Sequence, residues 1–217
     1  MPSALDSAVP FRSIDPAGQT VLESYKLMSG LIVPRPVALI STVDKNGTAN
    51  VAPFSFFSGV GANPPTVLFC PSLRSQSASR PDDRKDTLRN VEQTGEFVIN
   101  IVSDSLAAAT NATAAEVGPD VDEFLIAGLT PIPSEVVKAP RVAESPAQLE
   151  CTLLQIVFTG QGSGAGVVVV GEILRFHFRA DLESNFRIDP EKLDAVGRMA
   201  GNTWVRTRDL FDLDRPK

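Results

Sequence analysis

The chain has 217 residues, 43% of them hydrophobic and 21% charged, with a formal net charge of -6. Such a chain folds as one barrel or α/β domain with a sizeable apolar core, and its composition excludes intrinsic disorder. The acidic excess disfavours nucleic acid and anionic lipid as partners, and no apolar run reaches the roughly 18 residues that a membrane-spanning helix needs.

Met1 to Phe11 lack the positive start and apolar core of a secretory signal, and Met1 to Gly18 mix Pro, Ser, Asp and Ala without period, as in a draped arm. The expected organisation is an arm over 1–19, one domain over 20–207 and a tail over 208–217. Val21, Leu22, Tyr25, Leu27 and Met28 recur at mixed helical spacing, and Gly30 stands where a short helix covering a barrel mouth or edge would end. Two apolar runs, Val37 to Val43 and Thr48 to Phe54, flank Asp44-Lys45-Asn46-Gly47. Asn-Gly accepts positive φ at both central turn positions, so a β-hairpin is predicted. Phe54 to Gly59 alternates badly, and Asn63-Pro64-Pro65 lacks two ladder donors, so the strand ends or bulges there.

Thr66 to Cys70 reads as a third strand stopped by Pro71, with a polar loop from Ser72 to Asp83. Asp86 to Gly95 has an amphipathic pattern and a closing glycine, which predicts a short helix, and Glu96 to Val102 a buried strand. Ser103 to Val117 is Ala-rich with Ser103 and Asp104 as cap candidates, and Asp122 to Ala127 adds a helical turn before Gly128. Pro131, Pro133, Pro140 and Pro146 forbid long elements around them. Gln148 to Thr159 and Val167 to Arg179 are two long strands joined by a glycine-rich loop. Cys70 and Cys151 both sit in apolar runs, which fits free buried thiols and a reducing cytoplasm. At least six strands, the first joined by a hairpin, make the fold mainly β with short helices, an antiparallel barrel rather than a doubly wound sheet.

Side-chain chemistry is sparse. Gly160, Gly162 and Ala165 satisfy a relaxed dinucleotide pattern, but a valine run follows where a helix should begin, so a hairpin loop is the better reading. His177 is the sole histidine, on a strand where a structural role is the commoner one, and no His-based metal cluster can form. A cofactor that carries the reaction is favoured. Two segments stand out. Arg74, Arg80, Arg84, Lys85 and Arg89 crowd a helix start at Lys85-Asp86-Thr87, which suits a phosphate monoester; the alternative is a solvated loop with ion pairs to Asp82, Asp83 and Asp86. Asn50 to Ser58 interleaves aromatic and hydroxyl residues, suiting a planar heteroaromatic ring or, equally, aromatic core packing.

In order, Pro34 to Thr42, Gly47, Asn50, Ala52-Pro53-Phe54-Ser55-Phe56-Phe57, Asn63-Pro64-Pro65, Lys85 to Asn90 and Gly95 to Asn100 resemble the flavin reductase-like, FMN-binding split-barrel family. Asp122-Glu123-Phe124, Gly128-Leu129-Thr130, Glu150-Cys151, Gly171-Glu172-Ile173 and Arg198-Met199-Ala200-Gly201 are similar to its C-terminal half, so the resemblance spans roughly residues 25 to 205. It implies an antiparallel split β-barrel and a homodimer with one FMN per subunit near the interface, with FAD as the less favoured alternative. It also implies a ring lying against Pro53 to Phe57, with Ser55 at its polar edge, and a phosphate held by Ser72, Arg84, Lys85 and Thr87. The residues expected to bind the cofactor are thus Arg35, Asn50, Pro53, Phe54, Ser55, Phe56, Ser72, Arg84, Lys85, Asp86, Thr87 and Arg198, with Trp204 near the last. The implied reaction is hydride transfer from NADH or NADPH to the flavin and onward to a partner monooxygenase or other acceptor, with no protein acid or base. An FMN-holding electron carrier and a non-catalytic flavin-binding protein remain as alternatives.

Overall fold

The computed structural model describes residues 9–77, 82–115 and 121–216. At its centre lies Ala38–Val43 (β1), buried along its whole length. Side chains alternate across a strand, and here each face meets its own core. Ala38 and Ile40 join one apolar cluster, while Val37 and Leu39 join another.

Ala49–Phe54 (β2) pairs with β1 as the predicted hairpin, followed by Phe57–Ala62 (β3) and Pro65–Phe69 (β4). Glu96–Ile101 (β5), Ala147–Phe158 (β6) and Val167–Phe178 (β7) complete an antiparallel sheet ordered β2-β1-β5-β6-β7-β4-β3. The two outermost strands are consecutive in sequence, so the sheet curls back on itself. Cys70 N–H donates to the Phe56 carbonyl, extending the β3–β4 ladder up to the turn between β2 and β3. Inside the curl, the Phe69 ring lies 5.2 Å from both Phe54 and Phe97, and Leu88 and Val91 of the helix Asp86–Thr94 (α2) pack against them. The second core, with Val51, Leu106, Phe124 and Val142, lies on the other face of β1. A small sheet pairs Arg35–Pro36 with Val196–Arg198, and that strand with Trp204–Arg206.

Several local readings change. Val21–Leu31 (α1) runs through Gly30 instead of ending there, started by a Thr20–Glu23 capping box. In the first hairpin Gly47 has φ 89, while Asn46 does not take positive φ; Asp44 Oδ1 accepts from the amides of Asn46 and Thr48 instead. Strand β3 had no apolar signature, because its residues after Phe57 are exposed. The Ala-rich stretch forms a 3-10 turn and then only Ala107–Ala112 (α3), and the last two residues of that prediction, 116 and 117, lie outside the described residues. Glu123–Ala127 (α4) follows, capped by Asp122 and closed by Gly128 at φ 64. Cys70 and Cys151 are free.

Candidate functional site

The start of α2 and the edge strand β2 meet. Asn50 Nδ2 donates to Thr87 Oγ1 at 3.2 Å, and one turn on, Asn90 Nδ2 donates to Thr42 Oγ1 at 3.0 Å, so two buried amides fix the helix on the sheet. Lys85 is the N-cap, and its side chain, a donor only, makes no cap hydrogen bond. Ser72 reaches the same region from another direction. It bridges Gly166, while Leu73 exchanges backbone hydrogen bonds with Gly164 and Ala165 and Arg74 N–H donates to the Asp83 carbonyl. The glycine loop, Ser72 to Arg74 and the approach to α2 therefore form one assembly.

Carboxylates thread this cationic cluster. Arg89 binds Asp82 at 2.8 Å and Asp86 at 2.5 Å, Arg84 binds Glu92 at 2.7 Å and Asp83 at 3.0 Å, and Arg74 is 3.5 Å from Asp82. The hydrogen bond from Arg89 holds the Asp82 carboxyl below its usual range. Ion pairs therefore occupy much of this cationic cluster. Among the described residues, Arg74 Nε is buried and has no hydrogen-bond partner. A phosphate monoester has acceptor oxygens of the kind that suit a buried guanidinium donor near a helix start. Glu123, beside Asp86, has its carboxyl raised by burial.

The second segment divides between core and groove. Phe54 is buried in the barrel interior, whereas Phe56 turns outward and meets the Tyr25 ring of α1 edge-on at 6.3 Å. Pro53 is tolerated because β2 is an edge strand. Phe56, Cys70, Ser72, Gly166 and Val168 form one wall of a groove of about 1210 Å³, and Leu22, Tyr25, Met28 and Ile32 form the other, with Arg12 and Ile14 of the arm at its margin. Burial raises the Cys70 thiol, which keeps it protonated. The lining is mainly apolar, with few polar groups, a character that suits a heteroaromatic ring.

Of the predicted residues, Asn50, Asp86 and Thr87 come together at the start of α2 with Lys85, which is exposed. Ser72 and Phe56 line the groove. Arg84 faces Glu92 and the Phe158 ring at 5.5 Å. Arg35 sends its guanidinium to protein acceptors, among them Ser55 Oγ at 3.4 Å. Arg198 stacks over Trp204 at 4.9 Å. Arg80 lies outside the described residues. Missing from the expected set were Arg74, visible only as one more charge in the cluster, and Tyr25, whose pattern announced a helix but not what it faces. His177 proves structural: its Nε2 is 2.6 Å from Glu150 Oε1, which is fully buried and also accepts from the amide of Glu135.

Comparison with known proteins places the fold and the family. Residues 28–193 match the family model described as flavin reductase like domain. An uncharacterised protein of Halalkalibacterium halodurans is 35% identical over 94% of this chain and 96% of its own length. Nitrilotriacetate monooxygenase component B from Bacillus cereus is 38% identical with a TM-score of 0.87, covering 95% of this chain and all of that one. A split-barrel protein of Shewanella frigidimarina shares the fold at 23% identity, with a TM-score of 0.77 over 92% of this chain and 96% of that one. These matches lead to one conclusion: the chain belongs to the flavin reductase-like family.

Proposed function

We propose that this chain is an FMN-binding, NAD(P)H-dependent flavin reductase that works as a homodimer and passes reducing equivalents to a partner oxygenase. The observation that carries the reading is the hydrogen bond from Asn50 to Thr87, which ties the anion-binding helix start to the strand leading into the aromatic groove. A phosphate and a ring belonging to one ligand can then be held by adjacent parts of one surface. The residues fit FMN: Ser72, Arg74, Lys85, Thr87 and the first amides of α2 would hold the phosphate, and Phe56 with Ser55 would border the ring. The flavin, when bound, supplies the hydride-accepting centre, so no protein acid or base is required.

What the chain contributes is position and exclusion of water. Phe56 and the Tyr25 ring it meets edge-on present apolar surface to the groove, and the half-buried Cys70, held protonated, adds no charge there. Ordering two reactants in a dry site removes entropy that the solution reaction would have to lose. The acceptor side of the reading is supported by the similarity to a named component of a monooxygenase. Homodimer formation is supported by the exposed apolar residues Leu174, Phe176 and Phe178 at the end of β7, where that strand has a partner on one side only.

The test is anaerobic mixing of FMN-loaded protein with NADH and, separately, NADPH while flavin absorbance is followed. Rapid bleaching with either supports the reading. Firm FMN retention through gel filtration with no bleaching by either would replace it with an electron carrier fed by a protein donor.

A further inference from the structure

Arg35 is 5% exposed, yet among the described residues no carboxylate pairs with it. Its compensation comes from neutral acceptors: the carbonyls of Ser29 and Ile32 at the end of α1, the Met199 carbonyl at 3.0 Å, and Ser55 Oγ at 3.4 Å. Burial lowers its pKa accordingly. The guanidinium also stands 5.7 Å from the centre of the Phe56 ring. Burying a cation is costly unless its donors are matched, and a planar fork with five N–H groups can match several acceptors at fixed angles where a lysine cannot. The four acceptors belong to three separate segments, so the side chain acts as a joint between them.

Its backbone has no slack. Arg35 and Pro36 pair with Arg198 and Gly197, and a Cβ at Gly197 would meet Pro34 and Val205 at 3.1 Å and the Arg35 carbonyl at 3.2 Å. The helix it grips is the opposite case. Of the eleven residues of α1 only Ser29 is buried, and Val21, Leu22 and Leu31 are more than half exposed. A helix so weakly buried gains little from packing. A cation at its C-terminal carbonyls is favourable also because that is the negative end of the helix dipole.

We propose that Arg35 is a positioning residue, which fixes α1 against the Phe56 turn and thereby sets the width of the groove between them. The consequence for flavin binding rests on the function proposed above; the clamp itself does not. Arg35 acts through Ser55, Phe56 and α1, not as a cofactor ligand.

Hydrogen exchange by mass spectrometry on the full chain tests this. In Arg35→Lys, which keeps the charge but not the fork, the amides of α1 should exchange about ten-fold faster or more, the loss expected when a charge-assisted hydrogen bond goes. Exchange in β1 and β5 should stay as in the wild type. In Arg35→Ala, millimolar ethylguanidinium should restore α1 protection; if that variant does not fold, Arg35→Lys alone carries the measurement. With FMN, Arg35→Lys should raise the dissociation constant, and the KM for the nicotinamide should rise more than kcat falls. Unchanged α1 exchange overturns the proposal, as does equal loss of protection in α1, β1 and β5 without rescue, which would mark a general stability residue. Wild-type protein that binds no FMN while α1 still loosens on substitution would sink the flavin reading and leave the clamp standing.

Discussion

Thr87 serves two elements through one hydroxyl. It accepts from the buried Asn50 amide, and its own hydrogen remains for another acceptor at the start of α2. Thr87→Val should cost about 1–3 kcal/mol in thermal or urea unfolding, because it strands the Asn50 donor. Lys85→Ala combined with Thr87→Ala should weaken FMN binding by about 1–3 kcal/mol in a titration followed by flavin fluorescence, and unchanged affinity would put the phosphate elsewhere. Glu150 gives a pH signature. Burial pushes its carboxyl up, but the amides of Glu135 and Val136 and the ring of His177 outweigh this and hold it below its usual 4.5. A depressed carboxylate contributes stability that is complete above its unfolded value and fades as pH falls through its folded one. Urea midpoints of the wild type should therefore drop on acidification below about pH 4.5, and Glu150→Gln should flatten that drop. The variant should also lose about 3 kcal/mol at neutral pH, since a buried partner goes.

Among the elements, those whose signal is local were legible in the sequence. The helix α2 was readable from Leu88, Val91 and Gly95, which closes it at φ 69, and the long strands β6 and β7 from their valine and leucine runs. Strand β3 was not, because Gly59 and Gly61 carry no pattern and its place is dictated by pairing with β4. Nor was the end of α1: a glycine costs a helix about 1 kcal/mol, yet Ile32 N–H still bonds to the Met28 carbonyl, and Arg35 takes the carbonyls beyond. Gly171 shows the converse. The register slips between Val170 and Gly171, and a Cβ there would run into the Phe97 ring and lie 3.0 Å from the Thr152 carbonyl. Gly171→Ala should lower stability by about 1–3 kcal/mol in thermal unfolding, as overpacking does, while Gly162→Ala in the loop should perturb the barrel core much less.

For the whole molecule, the exposed end of β7 bears on assembly. Phe176 and Phe178 are 52% and 42% exposed although they continue the face that carries Leu149. Wild-type protein is expected to sediment at twice the chain mass, and Phe176→Asp to shift it toward the monomer without loss of secondary structure; a wild-type monomer would remove the dimer from the proposal. By itself the amino-acid sequence determined the antiparallel β class and most element positions, and it singled out the two candidate segments, because periodicity, turn residues and charge are local properties. Only the tertiary structure decided that Phe54 packs inward while Phe56 faces the groove, that the cationic cluster is largely neutralised by its own carboxylates, and that Arg35 grips a helix. Those outcomes depend on which distant side chains the curl of the sheet brings within reach, and no local pattern encodes that.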